Sequence, residues 1–119
     1  METLAAIAPK NTQGFYNEFV QLVDKLNASA IWFMEQKNYE KSSKVLELTF
    51  NLVKQQPYIF LECFLMVRNN QACMWRTIRK ITKALTYLKK AENMLDRNKD
   101  VYSGITYLNL AVLYNQMEE

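Results

Sequence analysis

The sequence predicts an all-α protein of about five helices. Apolar residues recur at spacings of three and four along most of the chain, and no stretch alternates as a half-buried strand does. Gly and Pro number two each among 119 residues, which leaves little material for tight turns. Half of the residues are hydrophobic and 23% are charged, a balance that suits a globular chain rather than a disordered one. That length is enough for one domain with a real core.

Residues 1–12 contain Pro9 and lack periodicity, so they read as an N-terminal tail. Thr12 is a helix-capping residue type, placing the helical domain at 13–119. The first helix is marked by Phe15, Phe19, Val20, Val23, Leu26, Ala30, Phe33 and Met34, and runs to about Gln36. Lys37-Asn38 interrupts it. A second helix starts near Tyr39 and ends at Gln55-Gln56-Pro57, because proline disfavours helix in the residue before it. The third covers about Tyr58 to Arg79 and is strongly apolar only in its first half, with Arg68-Asn69-Asn70 as a candidate kink. Thr82 can cap a fourth helix that carries Ala84, Leu85, Leu88, Ala91, Met94 and Leu95. After Asn98-Lys99-Asp100 a fifth spans Val101 to Glu119.

Internal repetition refines this picture. Ser42, Leu46 and Thr49 form a small, large, small pattern that returns as Ala84, Leu88 and Ala91, forty-two residues later. Small residues let two helices cross closely, and large ones fill the groove beside them. Lys37-Asn38-Tyr39-Glu40-Lys41-Ser42, with Ala30 and Phe33 before it and Tyr107, Leu110, Ala111 and Tyr114 in the last helix, resembles the tetratricopeptide repeat. The interval exceeds that family's usual length of about 34 residues and is similar to the longer units of kinesin-light-chain-like proteins. The resemblance implies antiparallel helix pairs stacked as a short right-handed α-solenoid, with units at about 13–57 and 58–100 and an incomplete one at 101–119. Arg68 and Gln71 depart from it, standing where an aromatic and a Leu are expected.

Catalytic chemistry is poorly supplied. The chain has no His, its only glycines are Gly14 and Gly104, and its carboxylates lack metal-ligand spacing. The sequence therefore predicts no enzyme, no metal and no cofactor. Cys63 and Cys73 are ten residues apart, a turn of roughly 280° on a helix, which fits neither a zinc site nor a redox pair. Two reduced, mostly buried thiols, with no secretory signal and no membrane-length apolar run, suit the cytoplasm. The resemblance adds cytoskeletal or ciliary association as an expectation.

Charge is uneven. Residues 1–67 carry 6 basic and 7 acidic side chains, residues 68–99 carry 9 and 2, and residues 100–119 carry none and 3. Arg76, Arg79, Lys80 and Lys83 would share one face if a single helix continued through them. They read either as a solvated face or as a basic patch for an acidic partner peptide. RNA binding would also need exposed aromatics among these charges, and Trp75 and Tyr87 nearby read as core. Trp32, too, fits core packing better than a ligand platform.

In the tetratricopeptide family, extended peptides lie in a groove lined by the first helix of each unit. The resemblance places Asn27, Trp32, Asn69, Asn70, Cys73, Arg76, Asn109, Val112 and Asn115 there. Asn side chains in such a groove can bond a peptide backbone without reading its sequence. One subclass grips a C-terminal carboxylate with Lys, Asn and Arg, and only Asn70 matches that set, so chaperone-tail binding is not implied. Tyr107, Leu110, Ala111 and Tyr114 form an apolar face on the last helix that a further helix, a second copy or another protein is expected to cover. The expected function is a non-catalytic scaffold or adaptor binding a partner protein or peptide segment. An RNA-binding helical repeat and a self-assembling structural element are the alternatives.

Overall fold

The computed structural model describes residues 8–57, 59–95 and 101–118, with side chains from residue 14 in the first segment and from residue 103 in the last. Five helices follow in order: α1 (Ala8–Glu35), α2 (Tyr39–Val53), α3 (Leu61–Thr77), α4 (Ile81–Met94) and α5 (Val101–Met117). Among the described residues there is no strand, and the protein is all-α.

Two chain reversals repeat one design. Lys37 ends α1 in the left-handed region at φ 61°. The Lys37 amide donates to Met34 O at 3.0 Å and the Asn38 amide to Phe33 O at 2.8 Å. This paired pattern satisfies carbonyls that the helix end would otherwise leave open. Arg79 ends α3 the same way at φ 65°, with Arg79 N–H to Arg76 O at 2.9 Å and Lys80 N–H to Trp75 O at 2.8 Å. The positions lie forty-two residues apart, so the interval seen in Ser42 and Ala84 is also an interval in the backbone. Cations suit both helix C-termini. Asn38 then caps α2, its Oδ1 accepting from Lys41 N at 3.2 Å. Lys80 precedes α4 without a side-chain cap.

Small side chains hold the pairs together. Ala30, Ser42, Ala84 and Ala91 are each 0% exposed. Ser42 Oγ donates to Ala30 O at 2.8 Å, a bond that needs the α1 and α2 backbones close together. Early α1 meets late α2, where Val23 shares a core cluster with Val53. Late α1 meets early α2, where Ala30 shares another with Leu46. The pair is therefore antiparallel. In the second pair Val67 lies with Ala91, and Ala72 with Ala84 and Leu88.

Helices α1, α3 and α5 form one layer and α2 and α4 the other. Helix α3 contacts all four others, whereas α1 contacts only α2 and α3. This is a stack built along one direction, not a bundle round a shared centre. Its extents of 57 × 34 × 18 Å fit two helix layers in the thinnest direction.

Several boundaries differ from the sequence expectation. Residues 8–12 of the expected tail are helical, and Thr12 lies inside α1 rather than capping it. Pro9 falls in the first turn, where its missing N–H has no intrahelical role. Residues 1–7 lie outside the described residues. Thr82 likewise lies within α4. Helix α3 runs unbroken through Arg68-Asn69-Asn70, because these residues are buried or half-buried with hydrogen-bond partners. Ala111 does not make the close crossing expected of it and is exposed.

Relieving the left-handed backbone should stabilise the fold. Lys37→Gly is expected to raise the urea midpoint by the equivalent of about 1 kcal/mol, since an L-residue is disfavoured in that region. Leu46→Ala should lower stability by about 2–5 kcal/mol by emptying a fully buried site.

Candidate functional site

The layer made by α1, α3 and α5 carries most of the residues expected to line a groove. A helical asparagine has four hydrogen-bonding positions to satisfy once it is buried. Here the asparagines satisfy one another. Asn70 Nδ2 donates to Asn27 Oδ1 at 2.7 Å, joining α3 to α1. Asn109 Nδ2 donates to Asn69 Oδ1 at 2.8 Å, and Asn69 Nδ2 to Thr106 Oγ1 at 2.8 Å, joining α5 to α3. Asn27 and Asn69 also bond back to the carbonyls of Val23 and Leu65 in their own helices.

Asn27 and Asn69 are 2% and 5% exposed, so neither can meet a peptide backbone. They register one unit on the next instead, which corrects their assignment to a binding groove. Asn70 and Asn109 are half-buried in the same ladder. Cys73, Arg76, Asn109 and Val112 do come together, but only around a small open depression of about 30 Å³. Arg76 Nε donates to Gln116 Oε1 at 2.8 Å. Trp32 is 57% exposed, not in the core, and packs edge-on against Phe33. Asn115 is exposed.

The expected basic patch is split. The left-handed residue Arg79 ends α3, so no single helix carries Arg76, Arg79, Lys80 and Lys83. Arg76 faces α5, Arg79 and Lys80 sit in the turn, and Lys83 stands over the Trp75 ring with Nζ 3.7 Å from its centroid.

Gathered chemistry lies on the opposite side. No Cα of α2 comes within 8 Å of one in α4, and α3 floors the space between them. The resulting open cleft measures about 470 Å³. Leu46, Glu47, Phe50 and Asn51 line it from α2, Arg68, Gln71, Met74 and Trp75 from α3, and Lys83, Tyr87 and Lys90 from α4. Three cations thus face one carboxylate.

Arg68 is the unusual member. It replaces the expected aromatic and is only 7% exposed. Its guanidinium carbon lies 3.6 Å from the Phe50 ring centroid and 5.2 Å from that of Tyr87. Flat guanidinium against a ring keeps the packing that an aromatic would provide. Nη1 donates to Gln71 Oε1 at 3.1 Å, so the two departures from the repeat pattern are partners. Nε is buried without any hydrogen-bond partner. Among the described residues Arg68 has no ion-pair partner either. Burial pushes its pKa down from the ordinary value, partly opposed by the Tyr87 hydroxyl. The sequence marked Arg68 and Gln71 as anomalies, but their pairing depends on helix packing that no spacing rule reveals.

Helix α5 presents a further surface. Tyr107, Leu108 and Tyr114 are 54%, 63% and 43% exposed, and Ala111 is exposed beside them. Leu110 does not belong to that open face. It is 4% exposed and packed with Ala72, Ala84 and Leu88, because that side of α5 lies against α3 and α4.

Among the described residues no group of His, Cys, Asp and Glu could hold a metal ion, and no helix is long and apolar enough to cross a membrane. Trp75 and Tyr87 stack on each other at 6.4 Å and 11°, and both are half-buried. No family, curated protein or solved structure matches this chain.

Asn69→Ala should cost about 1–3 kcal/mol in urea unfolding, since it strips Asn109 of its acceptor inside a buried network. The two thiols should differ sharply. Burial, then the charges of Asp24 and Glu62, push Cys63 from the ordinary 9.0 up to about 11. A disulfide reagent at mildly alkaline pH should therefore modify exposed Cys73 first and Cys63 only as the chain opens. The stability contributed by protonated Cys63 is whole below pH 9.0 and is lost as pH rises to about 11.

Proposed function

We propose that this protein is a non-enzymatic adaptor that docks a segment of another protein in the cleft between α2 and α4. The observation that carries the reading is the cleft itself: two helices held apart over a floor of aromatic, thioether and cationic side chains. Its volume lies within the range of pockets that take ligands. Mixed apolar and charged linings of this kind suit a peptide, whose side chains offer both. Helix α3 makes the floor rigid, because it packs against every other helix. The forty-two-residue interval in both backbone and core supports a long-unit tetratricopeptide-type repeat, wound right-handed as in that family. Two unpaired cysteines fit a reducing cytoplasm.

The asparagine ladder argues against docking on the α1–α3–α5 layer, since its amides already bond one another. The α5 surface supports a second reading, in which Tyr107, Ala111 and Tyr114 pair with another copy or another helix. Tyr107→Ser with Tyr114→Ser should then reduce self-association in sedimentation while leaving the thermal transition in place. A strict monomer at high concentration before substitution would remove that reading.

A random-peptide display library panned over the full chain tests the cleft. Binders should lose at least about tenfold in affinity for Asn51→Trp, whose indole fills the space, a loss of about 1.4 kcal/mol. They should bind Trp32→Ser unchanged. Full binding to the Asn51→Trp variant would place docking elsewhere.

A further inference from the structure

Arg68 occupies its site at a cost. A charged group taken out of water is unfavourable unless something replaces its hydration. Here that replacement is incomplete. Of the guanidinium's five N–H donors, one on Nη1 meets Gln71 Oε1 and the one on Nε is buried without an acceptor among the described residues. The rings of Phe50, Phe64 and Tyr87 surround it at 3.6, 5.6 and 5.2 Å and offer π faces but no negative charge. The same side chain lines the open cleft. A buried cation, short of acceptors and facing an accessible cavity, is a receptor for an anion.

The rim agrees with the floor. Lys83 and Lys90 line the cleft from α4 and are exposed, so each can leave its ring and reach inward. At present they rest over Trp75 and Tyr87, with Nζ at 3.7 and 5.5 Å from the centroids. Neither belongs to an ion pair among the described residues. Glu47 is the single carboxylate lining the cleft, it is exposed on α2, and it does not pair with any of the three.

We propose that the cleft seats an anionic side chain of the docked segment on the Arg68 guanidinium, with Lys83 and Lys90 closing over it from the α4 rim. The anion is a carboxylate or a phosphorylated hydroxyl, both of which match the planar fork. Apolar residues flanking it lie on Phe50 and Trp75, both half-buried. The arrangement gives the docking surface a charge requirement that its apolar lining could not impose, because a segment with a neutral residue there leaves Arg68 uncompensated. This inference rests on docking in the cleft, and it goes further by naming what the cleft reads.

The library binders supply the probe. Their sequences should converge on Asp or Glu at one position beside apolar residues. Three synthetic versions of the best binder, with Glu, Gln or phosphoserine at that position, are then titrated against the full chain. Glu or phosphoserine should bind at least about tenfold more tightly than Gln, the scale of one charge-assisted hydrogen bond. The ranking of the first two tells which acid the site takes. Arg68→Met keeps the packing and removes the charge, so it should bind all three alike. Lys83→Ala with Lys90→Ala alters only exposed residues, and should narrow the Glu-to-Gln ratio even if the Arg68 variant fails to fold. Glu47→Gln should strengthen binding of the Glu peptide.

Binders that need the open cleft yet show no acidic preference would overturn the anion site and leave the docking reading standing. An acidic preference that survives in both the Arg68 and the lysine variants would overturn it as well. Binders indifferent to Asn51→Trp would end both proposals.

Discussion

Close approach of paired helices at side chains too small to hold them apart is the constraint from which the rest follows. The Ser42 hydroxyl reaches the Ala30 carbonyl at 2.8 Å because neither residue carries bulk beyond one heavy atom past Cβ. Ala84 and Ala91 serve the second pair without any such bond, so steric fit sets the distance and the hydroxyl only adds to it. Tight pairing within a unit draws α2 onto α1 and α4 onto α3, and each of them also rests on the first helix of the next unit. With each second helix committed to its own neighbours, α2 and α4 are left apart. The cleft is thus a product of packing elsewhere, which is why it stays open without a loop to prop it.

The two faces use polar groups in opposite ways. On the α1–α3–α5 layer, each amide that leaves water finds another amide or a carbonyl, and the bonds run from one unit to the next. Such bonds fix register, because a slip along the helix axis would leave several buried groups unsatisfied at once. In the cleft, Arg68 is buried and only partly satisfied. One surface has its polar groups paired and the other keeps a buried guanidinium nitrogen without an acceptor among the described residues.

Much of this was legible in the residues. Periodicity and the scarcity of Gly and Pro located five helices, and the recurrence of Ser42 as Ala84 located the unit length. What escaped has physical reasons. Lys37 and Arg79 hold left-handed positions that usually mark themselves with glycine. The end of α3 was still placed within two residues, at Arg79, but without a glycine to fix the break a single helix through Arg76 and Lys83 stayed open as a reading. Leu110 looked like part of an open surface because a helix apolar on every side does not announce which side is covered. The asparagines were read as free because a sequence shows donors and acceptors but not whether they have met. The resemblance to tetratricopeptide units could not show that Asn27 and Asn69 are buried for the same reason.

Arg68 shows what a departure from a pattern can mean. An aromatic at that position would fill the space between α2 and α4 with no electrostatic cost. Stacking the guanidinium on Phe50 at 3.6 Å recovers the packing but not the hydration of the charge. Gln71, the second departure, returns one hydrogen bond at 3.1 Å. If the pair served packing alone, an acidic partner on α2 or α4 would complete it, as buried arginines generally require. Glu47 stands on α2 at the same cleft, yet it is exposed and pairs with none of the three cations. The space between them is open rather than filled, and the lysines on the far rim add positive charge instead of relieving it. Stability alone does not explain that arrangement, whereas the proposed anion would complete the guanidinium and draw in the two lysines together.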